Sequence, residues 1–184
     1  MALLWTLPGA STSKYVMEND LSEGLSKVCE ILNKHSVEYL VIGGSAVAFH
    51  GYPRPSVAPS GKMADKPDLD FWYNPTYENY FKVLDAMHEL GEDVSQFKAE
   101  KTPDPRKSFF RIDHEQFTID LLPEVPGLSR FRSSYNTRIE AKSGEITVPM
   151  ISYEDLILSK EKLARPKDIE DINELNLRRG GLKK

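Results

Sequence analysis

Apolar residues recur in the first part of the chain with the spacing of a helix. Leu21, Leu25, Val28, Ile31 and Leu32 share one helical face, which predicts an amphipathic helix reaching about His35. Asp20 stands in the N-cap position, and Glu23 three residues later completes a capping box. The period then changes. Residues 37–42 (VEYLVI) form a short β-branched and apolar run, the mark of a buried strand, and Gly43-Gly44-Ser45 lead from it into a short helix over 46–50. Residues 68–73 (DLDFWY) alternate and predict a second strand. Asn74 as cap and Pro75 as first residue open a helix through Leu90, with Tyr77, Phe81, Leu84 and Met87 or His88 on its core face and Gly91 as its stop. Residues 109–112 and 117–122 (FTIDLL) read as a strand pair joined by the polar turn 113–116, and 146–151 as another strand. Ser152, with Asp155 in the capping-box position, opens a further helix; Pro166 separates it from a last one over 167–177.

Two segments lack periodicity. Residues 1–18 read as a flexible N-terminal arm. Residues 51–67 (GYPRPSVAPSGKMADKP) are rich in Pro, Gly and Ser, and a loop of that length inside a domain is often functional. The fold class is α/β or α+β: a small mixed central sheet flanked by helices, with a core over 19–151 and a C-terminal helical segment over 152–184 packed on it.

Composition narrows the function classes. The 184 residues are 40% apolar and 28% charged, which suits one soluble globular domain. No apolar run approaches the roughly 18–20 residues of a membrane span. Residues 1–7 are too short, and lack the cationic flank, for a signal peptide. One cysteine, Cys29, excludes an internal disulfide and a cysteine-rich zinc site, and fits a reducing cytoplasm. A net charge of −4 argues against nonspecific duplex binding as the main task.

Three features carry chemistry. The strand over 37–42 delivers Gly43-Gly44-Ser45 to a helix start, where glycines allow close backbone approach and free N–H groups attract an anion. A tight turn without a ligand is the alternative. Asp68 and Asp70, two apart on a strand, project to one face while Leu69 points to the core. Paired carboxylates repel unless a cation lies between them, and hard oxygen donors suit Mg²⁺; a solvated strand end is the alternative. Asp120 sits in FTIDLL on the face opposite Ile119 and Leu121. A lone acid in an apolar strand is costly unless paired, hydrogen-bonded or metal-bound, and a neighbouring Arg or Lys would serve equally.

In this order the motifs resemble the nucleotidyltransferase superfamily typified by DNA polymerase beta and the minimal bacterial nucleotidyltransferases. The resemblance rests on Ile42-Gly43-Gly44-Ser45, Asp68-Leu69-Asp70-Phe71 and Ile119-Asp120-Leu121. Leu156-Ile157-Leu158-Ser159-Lys160 followed by Ala164-Arg165-Pro166-Lys167-Asp168-Ile169-Glu170-Asp171-Ile172 is similar to the "sK…aRpKDxxDi" ending of AbiEii-like and related nucleotidyltransferases, often borne on mobile elements or acting as toxins. The resemblance covers about residues 37–175 and departs in one respect: 22 residues lie between Ser45 and Asp68, more than in minimal members.

It implies the nucleotidyltransferase fold and transfer of a nucleoside monophosphate from an NTP to a hydroxyl of a protein, tRNA or small molecule, with release of pyrophosphate. Asp68 and Asp70 would bridge two Mg²⁺ ions, and Asp120 would ligate the one nearer the acceptor. Gly43, Gly44 and Ser45 would hold the triphosphate, with Lys160 as the candidate contact to its β and γ phosphates. A protein partner of antitoxin type fits the toxin-like members. Other residues carry structural expectations: Lys167 and Asp168 as a charge pair, Arg54 as a solvated loop arginine, His50 as a partly buried histidine, Arg106, Lys107 and Arg111 as a solvated basic face, and Phe71, Trp72 and Tyr73 mostly in the core. The competing readings are a noncatalytic nucleotidyltransferase-like module and a glycosyltransferase using Asp68-Leu69-Asp70 as its metal motif.

Overall fold

The computed structural model describes residues 4–6, 15–16, 19–54 and 66–181. The elements run β1 (Leu4–Thr6), β2 (Tyr15–Val16), α1 (Asn19–Lys34), β3 (Tyr39–Val41), α2 (Gly43–Phe49), β4 (Asp68–Tyr73), α3 (Tyr77–Glu89), α4 (Ser95–Ala99), β5 (Phe110–Asp113), β6 (Thr118–Leu122), α5 (Phe131–Asn136), β7 (Ile139–Ser143), β8 (Ile146–Met150), α6 (Tyr153–Leu163) and α7 (Pro166–Gly181). The strands form one mixed sheet in the order β2-β1-β7-β8-β3-β4-β6-β5, with β3–β8 and β4–β6 parallel and the other pairs antiparallel.

Alternation along the central strands sorts their side chains onto two faces. On one, Tyr39, Val41, Leu69, Phe71, Tyr73, Ile119 and Leu121 pack with α1 and α3. On the other, Leu40, Ile42 and Trp72 meet α2, Leu156 of α6 and Leu175 of α7. Each such side chain, fully buried, is worth about 1.5–3 kcal/mol of transfer free energy, so both faces of the sheet are covered by necessity. The three aspartates, at the alternate positions of β4 and β6, belong to the second face.

The structure shifts several boundaries. α1 begins at Asn19, so Asp20 lies within the helix; the side chain that would cap it falls outside those described. α3 is capped by Thr76, whose Oγ1 accepts from the Asn79 N–H at 3.3 Å, and not by Asn74. Asn74 is buried and donates to the Glu38 carboxylate. The core face of α3 accordingly runs through Tyr80, Val83, Leu84 and Met87, while Tyr77 is 53% exposed. α6 starts as expected, with Ser152 Oγ accepting from the Asp155 N–H at 3.2 Å. α7 continues past residue 177 to Gly181. β7 has a polar sequence, IEAKS, and is a strand because it pairs with β8 on one side and β1 on the other. β1 and β2 lie in the segment read as a flexible arm, with Trp5 opposite Ser143. Residues 55–65 of the long loop lie outside the described residues.

Candidate functional site

β3 must pass into α2 directly beside Asp70, and the backbone does so through Gly43 at φ +61°. A Cβ there would drive into the Asp70 carboxylate, so glycine answers both the left-handed conformation and the close approach. The Ile42 N–H donates to the Asp70 carbonyl at 3.0 Å, and the Gly44 N–H donates to the Asp70 carboxylate. Ser45 is buried, and its Oγ has no hydrogen-bond partner among the described residues.

β4 and β6 run parallel with Asp70 opposite Asp120 and Asp68 opposite Thr118. Side chains directly opposite on adjacent strands are neighbours, so the acids of both strands share one patch. The Thr118 hydroxyl donates to Asp68 Oδ1, and Arg111 Nη2 donates to the same oxygen at 3.1 Å. The Nε of that guanidinium lies 3.6 Å from Asp120 Oδ1, a buried oxygen with no hydrogen bond among the described residues. Burial, followed by the charges of Asp120 and Asp68, pushes the Asp70 carboxyl up to about 6. Asp120 is also raised, first by burial, with Arg111 opposing and Asp68 adding.

Desolvated carboxylates that repel one another, one with an orphaned oxygen, suit a divalent cation in donor chemistry. Among the described residues no three such side chains close into a ligand cluster; Asp68 is turned to Thr118 and Arg111.

Lys160 stands elsewhere. It is 4% exposed, and its Nζ donates to Asp171 at 2.6 Å and to Asp168 at 3.3 Å, two carboxylates that are fully buried. Arg54 joins Asp171 through Nε and through Nη2 at 2.8 Å, and Arg165 Nε reaches Asp168 at 2.6 Å. Burial alone would raise Asp168, but Arg165 and Lys160 hold it below the usual carboxylate range. The expected phosphate contact is therefore an interior ion joining α6 to α7, and Arg54 is a half-buried partner of that network rather than a solvated loop residue. Asp168 pairs with Lys160 and Arg165, not with Lys167. Lys167 is a cation whose charge acts on Asp70, as Arg165 is, and its own pKa is lowered by burial and then by Arg165 and Arg54.

The remaining expectations divide. Phe71, Trp72 and Tyr73 are core residues. His50 is structural, its ring N–H donating to the Ile151 carbonyl at 2.9 Å. Arg106 and Lys107 are exposed, but Arg111 faces the acids. The signal for Arg111 was its alternate position on β5; its partners depend on the register of β5 with β6, where it lies opposite Asp120.

The fold has a relative among solved structures. The antibiotic-resistance factor ANT(2'')-Ia is 17% identical, with a TM-score of 0.53 over 91% of this chain and 88% of that one. An antigenic nucleotidyltransferase-like protein from Paracoccidioides brasiliensis is 15% identical, with a TM-score of 0.47 over 86% of this chain and 76% of that one. No curated protein matches the sequence. Residues 20–180, which take in the glycine turn, all three aspartates and the Lys160 network, match the family described as nucleotidyltransferase of unknown function (DUF6036), and the chain belongs to it.

Proposed function

We propose that this protein transfers a nucleoside monophosphate from an NTP to a hydroxyl acceptor at the face bearing Asp68, Asp70 and Asp120. Family and fold support nucleotidyl transfer in general. The observation that carries the site assignment is Asp70 set opposite Asp120 on parallel strands, both desolvated, with a buried carboxylate oxygen left without a hydrogen bond.

Asp70 and Asp120, with Asp68 once released from Arg111, would hold the Mg²⁺ ions. Bound there, Mg²⁺ supplies Lewis-acid charge at the α-phosphate and lowers the pKa of the attacking hydroxyl. The chain supplies position. Gly43 keeps the approach to Asp70 open, the Gly44 N–H orients that carboxylate, and Gly44 and Ser45 would hold the triphosphate. Lys167, a cation whose charge acts on Asp70, would take the phosphate role expected of Lys160. Asp120 would ligate the ion nearer the acceptor. A cytoplasmic location belongs to the same reading, since the free Cys29 is buried and suits a reducing compartment. A toxin-like role with a protein partner rests on the resemblance of the "sK…aRpKDxxDi" ending, whose residues here build the buried network.

Calorimetric titration of each NTP into the wild type and Asp70→Asn, with and without Mg²⁺, tests the proposal. Mg²⁺-dependent binding that collapses in the variant is expected. Absence of binding by every NTP would sink it.

A further inference from the structure

We propose that Arg111 is a resident cation of the acid site, which a divalent ion must displace, so that metal enters with the nucleotide rather than alone. The inference rests on the transferase reading above and adds to it what releases Arg111 and when. The Arg111 guanidinium spans two of the three acids, with Nη2 3.1 Å from Asp68 Oδ1 and Nε 3.6 Å from Asp120 Oδ1. It thus supplies positive charge between two carboxylates whose charges repel, with the Thr118 hydroxyl as the other partner of Asp68. A divalent ion drawn to those oxygens meets a positive charge already in contact with them, and like charges at such distances repel strongly in a partly desolvated site.

Arg111 is also built to leave. Its side chain is 54% exposed and hangs from β5, the last strand of the sheet. Once detached, it finds no ready substitute along its own strand, because Asp113 two residues on is taken by Lys66. An incoming triphosphate offers the anion that the released guanidinium lacks. Nucleotide and metal together therefore replace both halves of the Arg111–carboxylate contact, whereas free metal replaces one half and strands the other.

Mn²⁺ binding followed by electron paramagnetic resonance reads this without turnover. It is measured on wild type, Arg111→Gln, Arg111→Lys and Asp120→Asn, each with and without a non-hydrolysable NTP analogue, after circular dichroism shows matching folds. Without nucleotide, Arg111→Gln binds Mn²⁺ about tenfold or more tightly than wild type, and Arg111→Lys, which keeps the charge, stays near wild type. With the analogue present, the difference between wild type and Arg111→Gln closes. Equal affinity in wild type and Arg111→Gln without nucleotide, or an Arg111→Lys that behaves like Arg111→Gln, overturns the proposal. If those variants bind alike and Asp120→Asn binds poorly, Arg111 alone loses its role; if nothing binds Mn²⁺ even with the analogue, the metal-dependent reading falls with it.

Discussion

At Gly43 two requirements coincide, a φ of +61° and an empty Cβ position where the Asp70 carboxylate passes. Gly43→Ala violates both, and we expect it to cost about 1–3 kcal/mol of stability and to displace Asp70. Thermal denaturation and NTP titration of the same sample should therefore both deteriorate. Asp70→Asn should do the reverse to the metal-free protein. It removes a buried negative charge that Asp120 and Asp68 repel, and should stabilise by on the order of 1–2 kcal/mol at neutral pH while abolishing Mg²⁺-dependent NTP binding. Urea denaturation in the presence of a chelator checks this; a lowered midpoint would mean that Asp70 holds the fold by contacts that outweigh its repulsion.

The C-terminal helices show why a motif read residue by residue misassigns roles. Lys160 and Lys167 are both cations in a chemistry-bearing ending, and their helices decide between them. α6 turns Lys160 inward onto Asp168 and Asp171, whereas α7 keeps both aspartates inward and leaves Lys167 half-buried on the side of Asp70. Removing one partner of a buried ion network leaves uncompensated charge, so Lys160→Met should cost about 3–5 kcal/mol. Lys167→Ala should leave stability within about 0.5 kcal/mol and weaken NTP binding instead. Denaturation midpoints set beside nucleotide affinities separate the two; a Lys167→Ala protein that binds NTP as well as wild type would remove its phosphate role. The same element-level lesson applies to α3. Its period was legible, and Phe81, Leu84 and Met87 meet the core as read, but Tyr77 does not, and Thr76 rather than Asn74 caps the helix.

Across the whole molecule, two titrating groups oppose each other in acid. His50 is wedged against Phe49 and Tyr153 near the junction of α2 with β8 and α6, and burial lowers its pKa from 6.5. The unfolded chain therefore takes up this proton first, and stability is lost as pH falls below 6.5 toward the lower folded value. Asp70 acts in the other sense: its folded pKa of about 6 exceeds 3.8, so the metal-free fold gains stability as pH falls through that window and loses it as pH rises through about 6. Urea midpoints between pH 7 and 5 should show His50→Gln improving relative to wild type as pH falls, and Asp70→Asn losing its advantage over the same range. Parallel profiles for all three proteins would remove both assignments.

Parity along a strand depends only on the local backbone, so the sequence alone placed Asp68, Asp70 and Asp120 off the face occupied by Leu69, Ile119 and Leu121, and the structure puts them there. Helical periodicity and the Ser152 cap were local in the same sense. Pairing was legible for the β5–β6 hairpin alone, and not for the other strands. Register sets Asp70 opposite Asp120 through hydrogen bonds between strands roughly 50 residues apart, and sets Arg111 opposite Asp120 across the short β5–β6 hairpin, at no cost to the pattern within any strand. Whether Lys160 meets a phosphate or two buried carboxylates was settled by how α6 packs on α7, because a charge takes its role from the groups that the fold brings to it.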